Sequence, residues 1–129
     1  MTTTGKSTEL AGRILLAGLF LLSGLGKLGA YAGTQAYMAS AGVPGFLLPL
    51  VLLTEIGGGL AIVLGFQTRI AAILLAGFSI LSALLFHKNM QDQIQMIMFL
   101  KNFSIAGGFL LLAAHGAGAY SLDARRGKV

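Results

Sequence analysis

Between Leu47 and Phe66 the chain is apolar except for Thr54 and Glu55. A helix needs about 20 predominantly apolar residues to cross the roughly 30 Å hydrocarbon core of a bilayer. This run is that long. No water is available at such depth, so the backbone must satisfy its own hydrogen bonds, and a single run of this kind does so as a helix. A carboxylate near the middle costs roughly 2.5–3.5 kcal/mol on insertion scales. Glu55 therefore needs a partner or a task, and Gly57, Gly58 and Gly59 follow it after Ile56.

Three more apolar runs surround this one. Together they predict helices over about 10–30, 46–66, 70–86 and 96–114. Of the 129 residues, 56% are hydrophobic and 10% charged, against about 25% charged in soluble domains. The expected fold is all-α: an integral membrane four-helix bundle forming a single domain, residues 1–129, with no separate soluble catalytic module. The bilayer is its first partner. There is no cysteine, which excludes disulfides, thiol redox chemistry and cysteine-ligated metal or iron–sulfur sites on this chain. The formal net charge is +5, but the bases flank apolar runs. There they act as topology signals, so nucleic acid is not expected as a partner.

The connections differ in character. Residues 1–9 are polar and expected to be mobile. Tyr31–Gly45 is a linker of small residues in which a short helix, Thr34–Ala41, would be capped by Thr34, stopped at Gly42 and followed by Pro44. Pro49 falls in the first turn of the second span, where its missing N–H is harmless. Gln67-Thr68-Arg69 is a tight turn, with Thr68-Arg69 capping and anchoring the third span. His87 to Gln95 is a polar loop in which Asp92 faces Lys88, and Asp123 sits in a turn beyond the last span.

Lys6, Arg13, Arg69, Arg125, Arg126 and Lys128 gather on one side, against Lys88 on the other. The positive-inside rule then places both termini in the cytoplasm. The first run is read as a retained span. Lys6, Arg13 and Ala30-Tyr31-Ala32 resemble a cleaved signal peptide, but Ser23, Lys27 and late glycines are unusual for one. Ile14-Leu15-Leu16-Ala17-Gly18 returns as Ile73-Leu74-Leu75-Ala76-Gly77. This leaves two tandem helical hairpins as one option and chance matching of apolar letters as the other.

Lys27, Glu55 and Lys101 are the ionisable residues within apolar runs. Counted along the helices at about 1.5 Å per residue, they reach a common level in the half of the bundle nearer the linker. Lys101 is expected one to two turns inside the fourth span. Ser23, Thr54, Asn102 and Ser104 would join them. A structural ion pair, or Lys27 snorkelling to the interface, is the plain alternative to a functional site. Gly58 and its neighbours would either let helices approach closely or leave a slot for a flat ligand beside Glu55. His87 and His115 fall at opposite ends of the bundle, so no metal site is expected from them.

These residues resemble the DoxX family of membrane proteins. The resemblance runs through Arg13, Ser23-Gly24-Leu25-Gly26-Lys27, Tyr37-Met38-Ala39-Ser40-Ala41-Gly42-Val43-Pro44, Glu55-Ile56-Gly57-Gly58-Gly59 and Leu64-Gly65-Phe66-Gln67-Thr68-Arg69. It continues through Lys101-Asn102, Ala106-Gly107-Gly108, Gly116-Ala117-Gly118 and Ser121-Leu122-Asp123. It implies a four-helix bacterial inner-membrane protein and an oxidoreductase component related to quinol-oxidase or thiosulfate:quinone oxidoreductase subunits. It also implies links to quinone or catechol handling and to oxidative-stress complexes.

The preferred expectation is a quinone-like small-molecule site with Glu55 as candidate proton-handling residue. Lys27, Glu55, Lys101, Asn102, Ser23 and Gly58 would be the ligand-binding residues, a quinone the cofactor or substrate, and a soluble redox partner or another bound cofactor the electron source. Two alternatives stand beside it. One is a non-enzymatic anchor or scaffold for a soluble redox enzyme. The other is a small-anion transporter, which with four helices would require a homo-oligomer.

Overall fold

The structure is a computed structural model and describes residues 2–127; Lys128, counted above among the bases, lies outside them. The first helix, α1, spans Thr3–Gly29. It starts seven residues earlier than the apolar pattern suggests because the Thr2 hydroxyl accepts the Gly5 amide at 3.1 Å, satisfying one of the orphan donors of a helix N-terminus. The segment expected to be mobile is thus the first two turns of the span.

The linker is mostly a helix too. α2, Tyr31–Ser40, follows α1 after a break at Ala30. Thr34 does not cap it; its hydroxyl bonds the Ala30 carbonyl from within the helix at 2.8 Å. Gly42 stops it with a left-handed φ of 80°. Gln35 Nε2 then donates to the Gly45 carbonyl at 3.1 Å, tying α2 to the next span.

That span, α3, covers Gly45–Leu64. It opens with a 3-10 turn, runs as α-helix through Leu48–Leu52, widens into a π turn at Leu53–Gly57 and returns to α-helix at Gly58–Leu64. Gly65, at φ 70°, ends it. α4 spans Thr68–Phe86 and α5 spans Gln93–His115. Asp92 caps α5, accepting from Ile94 N at 2.9 Å and Gln95 N at 3.4 Å. The expected Asp92–Lys88 contact is absent among the described residues, because the carboxylate is committed to the helix end. A last short turn, α6, covers Leu122–Arg125.

The four helices long and apolar enough to cross a membrane are α1, α3, α4 and α5, and no strand occurs among the described residues. The fold is therefore an all-α membrane helical bundle. α4 and α5 pack as a hairpin, and α1 packs along α3. Phe20, Ile62, Leu75 and Phe109 meet in the core with alanines 17, 72, 76 and 106 between them. Small residues at these positions let helices close up where lipid offers no hydrophobic drive. The Phe20 ring meets Phe109 and Phe78 edge to face, at centroid separations of 5.5 and 6.2 Å. A second cluster, Met38, Leu48 and Leu52 with Val43, Ile56 and Phe86, fastens α2 over the linker end of the bundle. Outward-facing leucines such as Leu15, Leu22 and Leu53 are exposed around the perimeter, as a lipid-facing surface requires.

Candidate functional site

Glu55 lies at the centre of the π turn, ten residues into α3, and is 3% exposed. One wider turn shifts every later side chain in phase against a continuous α-helix, and such bulges occur frequently at functional sites. Across from it, Gly24 of α1 leaves no room for a side chain: a Cβ there would sit 2.5 Å from Ile56 Cγ1 and 3.5 Å from Glu55 Cβ. α1 and α3 are therefore nearly touching at this level. One turn farther along α1, Lys27 Nζ reaches Glu55 Oε1 at 2.8 Å and Ser23 Oγ at 2.6 Å.

Lys27 does not snorkel to the interface. The chain continues beyond α1 into α2, which covers the bundle, and leaves the ammonium at the depth of the acid. An unpaired buried charge would be far more costly than a paired one, which accounts for the ion pair without yet assigning it a task.

Beside the pair is a cavity of about 400 Å³. It fills the gap between the two packed clusters, with Phe20 and Phe78 on one side and Met38, Val43 and Phe86 on the other. Lys27, Glu55, Ser23, Lys101 and Asn102 all line it. So does His87, whose Nδ1 is 2.8 Å from Gln95 Oε1. Tyr37 stacks on Phe86 at 5.4 Å where α2 crosses α4, forming part of the wall. Leu19, Leu50 and Leu81 line the cavity and are also exposed on the outside of three different spans.

Not every expected site residue belongs to the pair. Lys101 is on the cavity wall, but its Nζ contacts Met98 Sδ at 3.3 Å and pairs with no carboxylate among the described residues. Because α5 begins at Gln93, Lys101 lies eight residues, about 12 Å, inside the helix, deeper than the apolar run indicated. Asn102 Nδ2 donates to the Ser79 carbonyl at 3.1 Å, fixing α5 to α4 at the cavity edge. Ser104 is exposed and away from the cavity. Gly58 faces α4, where a Cβ would come within 3.1 Å of Leu75 Cδ2, and Gly59 faces Leu21 of α1. Helix contact fills both positions, so Gly58 belongs to packing rather than to a ligand slot. Among the described residues no group of three His, Cys, Asp or Glu converges.

A second polar centre, at the end holding the termini, is missing from the sequence reading. Arg13 is 1% exposed and is no surface topology signal. Its guanidinium donates to the Ile62 carbonyl at 3.2 Å, to Val63 at 3.4 Å and to the Tyr120 carbonyl. It thereby adds a donor to carbonyls in the last turn of α3, where Ile62 already accepts from Gly65 N at 3.2 Å, and ties that turn to Tyr120. Asp123 accepts from Gln67 N at 2.8 Å and Thr68 N at 2.9 Å, capping α4 from a distant part of the chain. Burial raises its pKa, but the amides of Thr68 and Gln67 and the nearby Arg126 more than offset this, holding the carboxyl below the usual range. Arg69 does not serve its own helix; it donates to the carbonyls of Ala113 and Ala114 at 2.9 and 2.6 Å, closing the end of α5. The segments Leu64–Arg69 and Ser121–Asp123 are conspicuous in the sequence, but only the fold joins them.

Comparison with known proteins agrees with this architecture. The family model described as DoxX matches residues 8–88. Over 114 residues, the chain is 57% identical to the inner membrane protein YqjF of Escherichia coli strain K12, covering 88% of each chain. It is 40% identical over 123 residues to the inner membrane protein YphA of the same organism, covering 90% of this chain and 88% of the relative. No solved structure matches.

Proposed function

The chain belongs to the DoxX family, and from that premise we propose that this inner-membrane protein binds a quinone-like molecule in the cavity beside Lys27 and Glu55. The observation carrying this reading is one ion pair set in the wall of a mostly apolar cavity. Ligand sites are typically about 300–1,000 Å³, mostly apolar, with a few convergent polar groups that fix orientation. A quinone has this division, a flat apolar ring with carbonyl oxygens at its edge. Lys27 has three donors; one goes to Ser23, and Glu55 Oε1 at 2.8 Å is an ion-pair contact without hydrogen-bond geometry, so donors remain for a ligand oxygen. Glu55 accepts or delivers the proton that accompanies a change of state at that oxygen. The chain's own part is binding and proton positioning, with electrons supplied by a partner protein.

The leucines at the cavity edge favour entry from the lipid. Leu19, Leu50 and Leu81 belong to spans and are exposed, so a molecule dissolved in the bilayer meets the cavity without crossing water. Binding of a short-chain quinone to the purified protein in nanodiscs tests the reading. Glu55→Gln should weaken it about tenfold or more, and Ser82→Phe, which fills the cavity, should abolish it. Unchanged binding in both folded variants would sink the proposal.

A further inference from the structure

The charge inventory of the cavity is unequal. Glu55 is the acid among the residues lining it, and Lys27 already neutralises that acid at 2.8 Å. Lys101 is a second cation on the same wall. Its hydrogen-bonding neighbour among the described residues is the Met98 thioether, at 3.3 Å, and a thioether is a weak acceptor. Of the other titratable groups on the wall, His87 is engaged by Gln95 and adds no negative charge in either state, and Tyr37 is a phenol stacked on Phe86.

Depth sharpens the imbalance. α5 is 23 residues long, about 35 Å at 1.5 Å per residue, only slightly more than the hydrocarbon core. Lys101 is about 12 Å from the end of that helix, within a helix of span length, and its side chain is exposed on the cavity wall. A cation there is costly unless it faces a cavity or a partner.

We infer that the ligand carries a single negative charge at its polar edge and that Lys101 recognises it. The ligand class is an acidic amphiphile: an ionised ring hydroxyl or a carboxylate on an apolar body that enters from the bilayer. Lys101 exchanges the Met98 sulfur for the anionic oxygen, while the Lys27–Glu55 pair holds the neighbouring neutral oxygen. One Nδ2 N–H of Asn102 is held by the Ser79 carbonyl, and its Oδ1 is an acceptor, so Lys101 is the charged donor for the anionic oxygen. This inference rests on the quinone-site reading and adds charge selectivity to it.

Two ligands of one shape decide it: a ring-hydroxylated naphthoquinone ionised at neutral pH, and its neutral methyl ether. Calorimetry on the full chain in zwitterionic nanodiscs, corrected against empty nanodiscs, should show the anion binding about tenfold or more tightly than the ether. Lys101→Met should reduce that preference to within about twofold while leaving binding of the ether in place, and Lys101→Arg should keep it. Equal binding of the two ligands by the wild type, or a preference unchanged in Lys101→Met, would overturn the anion inference and leave the quinone site standing. Binding of neither ligand would overturn both.

Discussion

At the residue scale, the Lys27–Glu55 pair makes an asymmetric prediction. Glu55 is nearly sealed and the Lys27 side chain is 29% exposed. Removing the cation strands a buried acid, whereas removing the acid's charge leaves a lysine that still bonds Ser23 and still has some outlet. Breaking a buried pair by deleting one partner costs about 3–5 kcal/mol. Lys27→Met should approach that loss and Glu55→Gln should fall well short of it. The double variant should recover much of the difference, as read by thermal unfolding in one detergent. Equal losses in the two single variants would show that the pair is not the seat of the asymmetry.

Gly65 makes a second prediction at this scale. Its φ of 70° is left-handed, and a Cβ there would run into Arg13 Nη1 and Ser121 Cβ. Gly65→Ala should therefore cost more than the 1–3 kcal/mol of an ordinary strained backbone position and lower the unfolding temperature accordingly. The anomaly of Glu55 was legible in the sequence because a lone acid in a spanning run is costly anywhere along it. The burial of Arg13 was not. A base at the start of a span reads as an anchor, and only the carbonyls of Ile62, Val63 and Tyr120, brought from far along the chain, show otherwise.

At the element scale, helix ends account for most of what composition missed. Apolar runs mark where lipid must be, not where helical hydrogen bonding stops. α1 extends outward on the strength of the Thr2 cap, and α5 begins behind the Asp92 cap at Gln93, three residues before Met96, where the apolar pattern placed its start. The π turn in α3 has no signature in hydropathy, since Leu53, Thr54, Glu55, Ile56 and Gly57 fit an ordinary helix equally well.

α4 carries the testable case. Its first amides are held by Asp123 from the tail, where a carboxylate both accepts hydrogen bonds and favours the positive end of the helix dipole. Asp123→Ala should cost about 0.5–2 kcal/mol, as the loss of a cap does. The sign of the pH effect follows from the folded pKa lying below the ordinary carboxylate value. The stabilisation is fully present above the ordinary value of about 3.9 and is lost as pH falls through the lower folded one. Unfolding of wild type and Asp123→Asn in detergent should differ at neutral pH and converge on acidification. A constant offset at all pH values would remove the charged cap from the account.

At the scale of the whole molecule, four spans return the chain to the side from which it started, so both termini share one end with the turn between α3 and α4. That end holds Lys6, Arg69, Arg125 and Arg126 in addition to the buried Arg13, while the far end offers Lys88 outside the spans. Arg69 is occupied with the end of α5 and Arg126 lies over the Phe66 ring at 4.9 Å, yet both remain exposed. Charge near span ends sets orientation through insertion rather than through later contacts. The bias therefore predicts cytoplasmic termini even though Arg13 ends up buried, and it places the mouth of the cavity and the α2 cover toward the periplasmic half. The chain has no cysteine, so single substitutions report without background. In intact cells, a membrane-impermeant thiol reagent should label Ala39→Cys and Gln91→Cys, but label Thr4→Cys and Leu122→Cys only after permeabilisation. The reverse pattern would invert the molecule and bring the Lys27–Glu55 site to the cytoplasmic half, where a soluble partner and the ligand would approach from the same side.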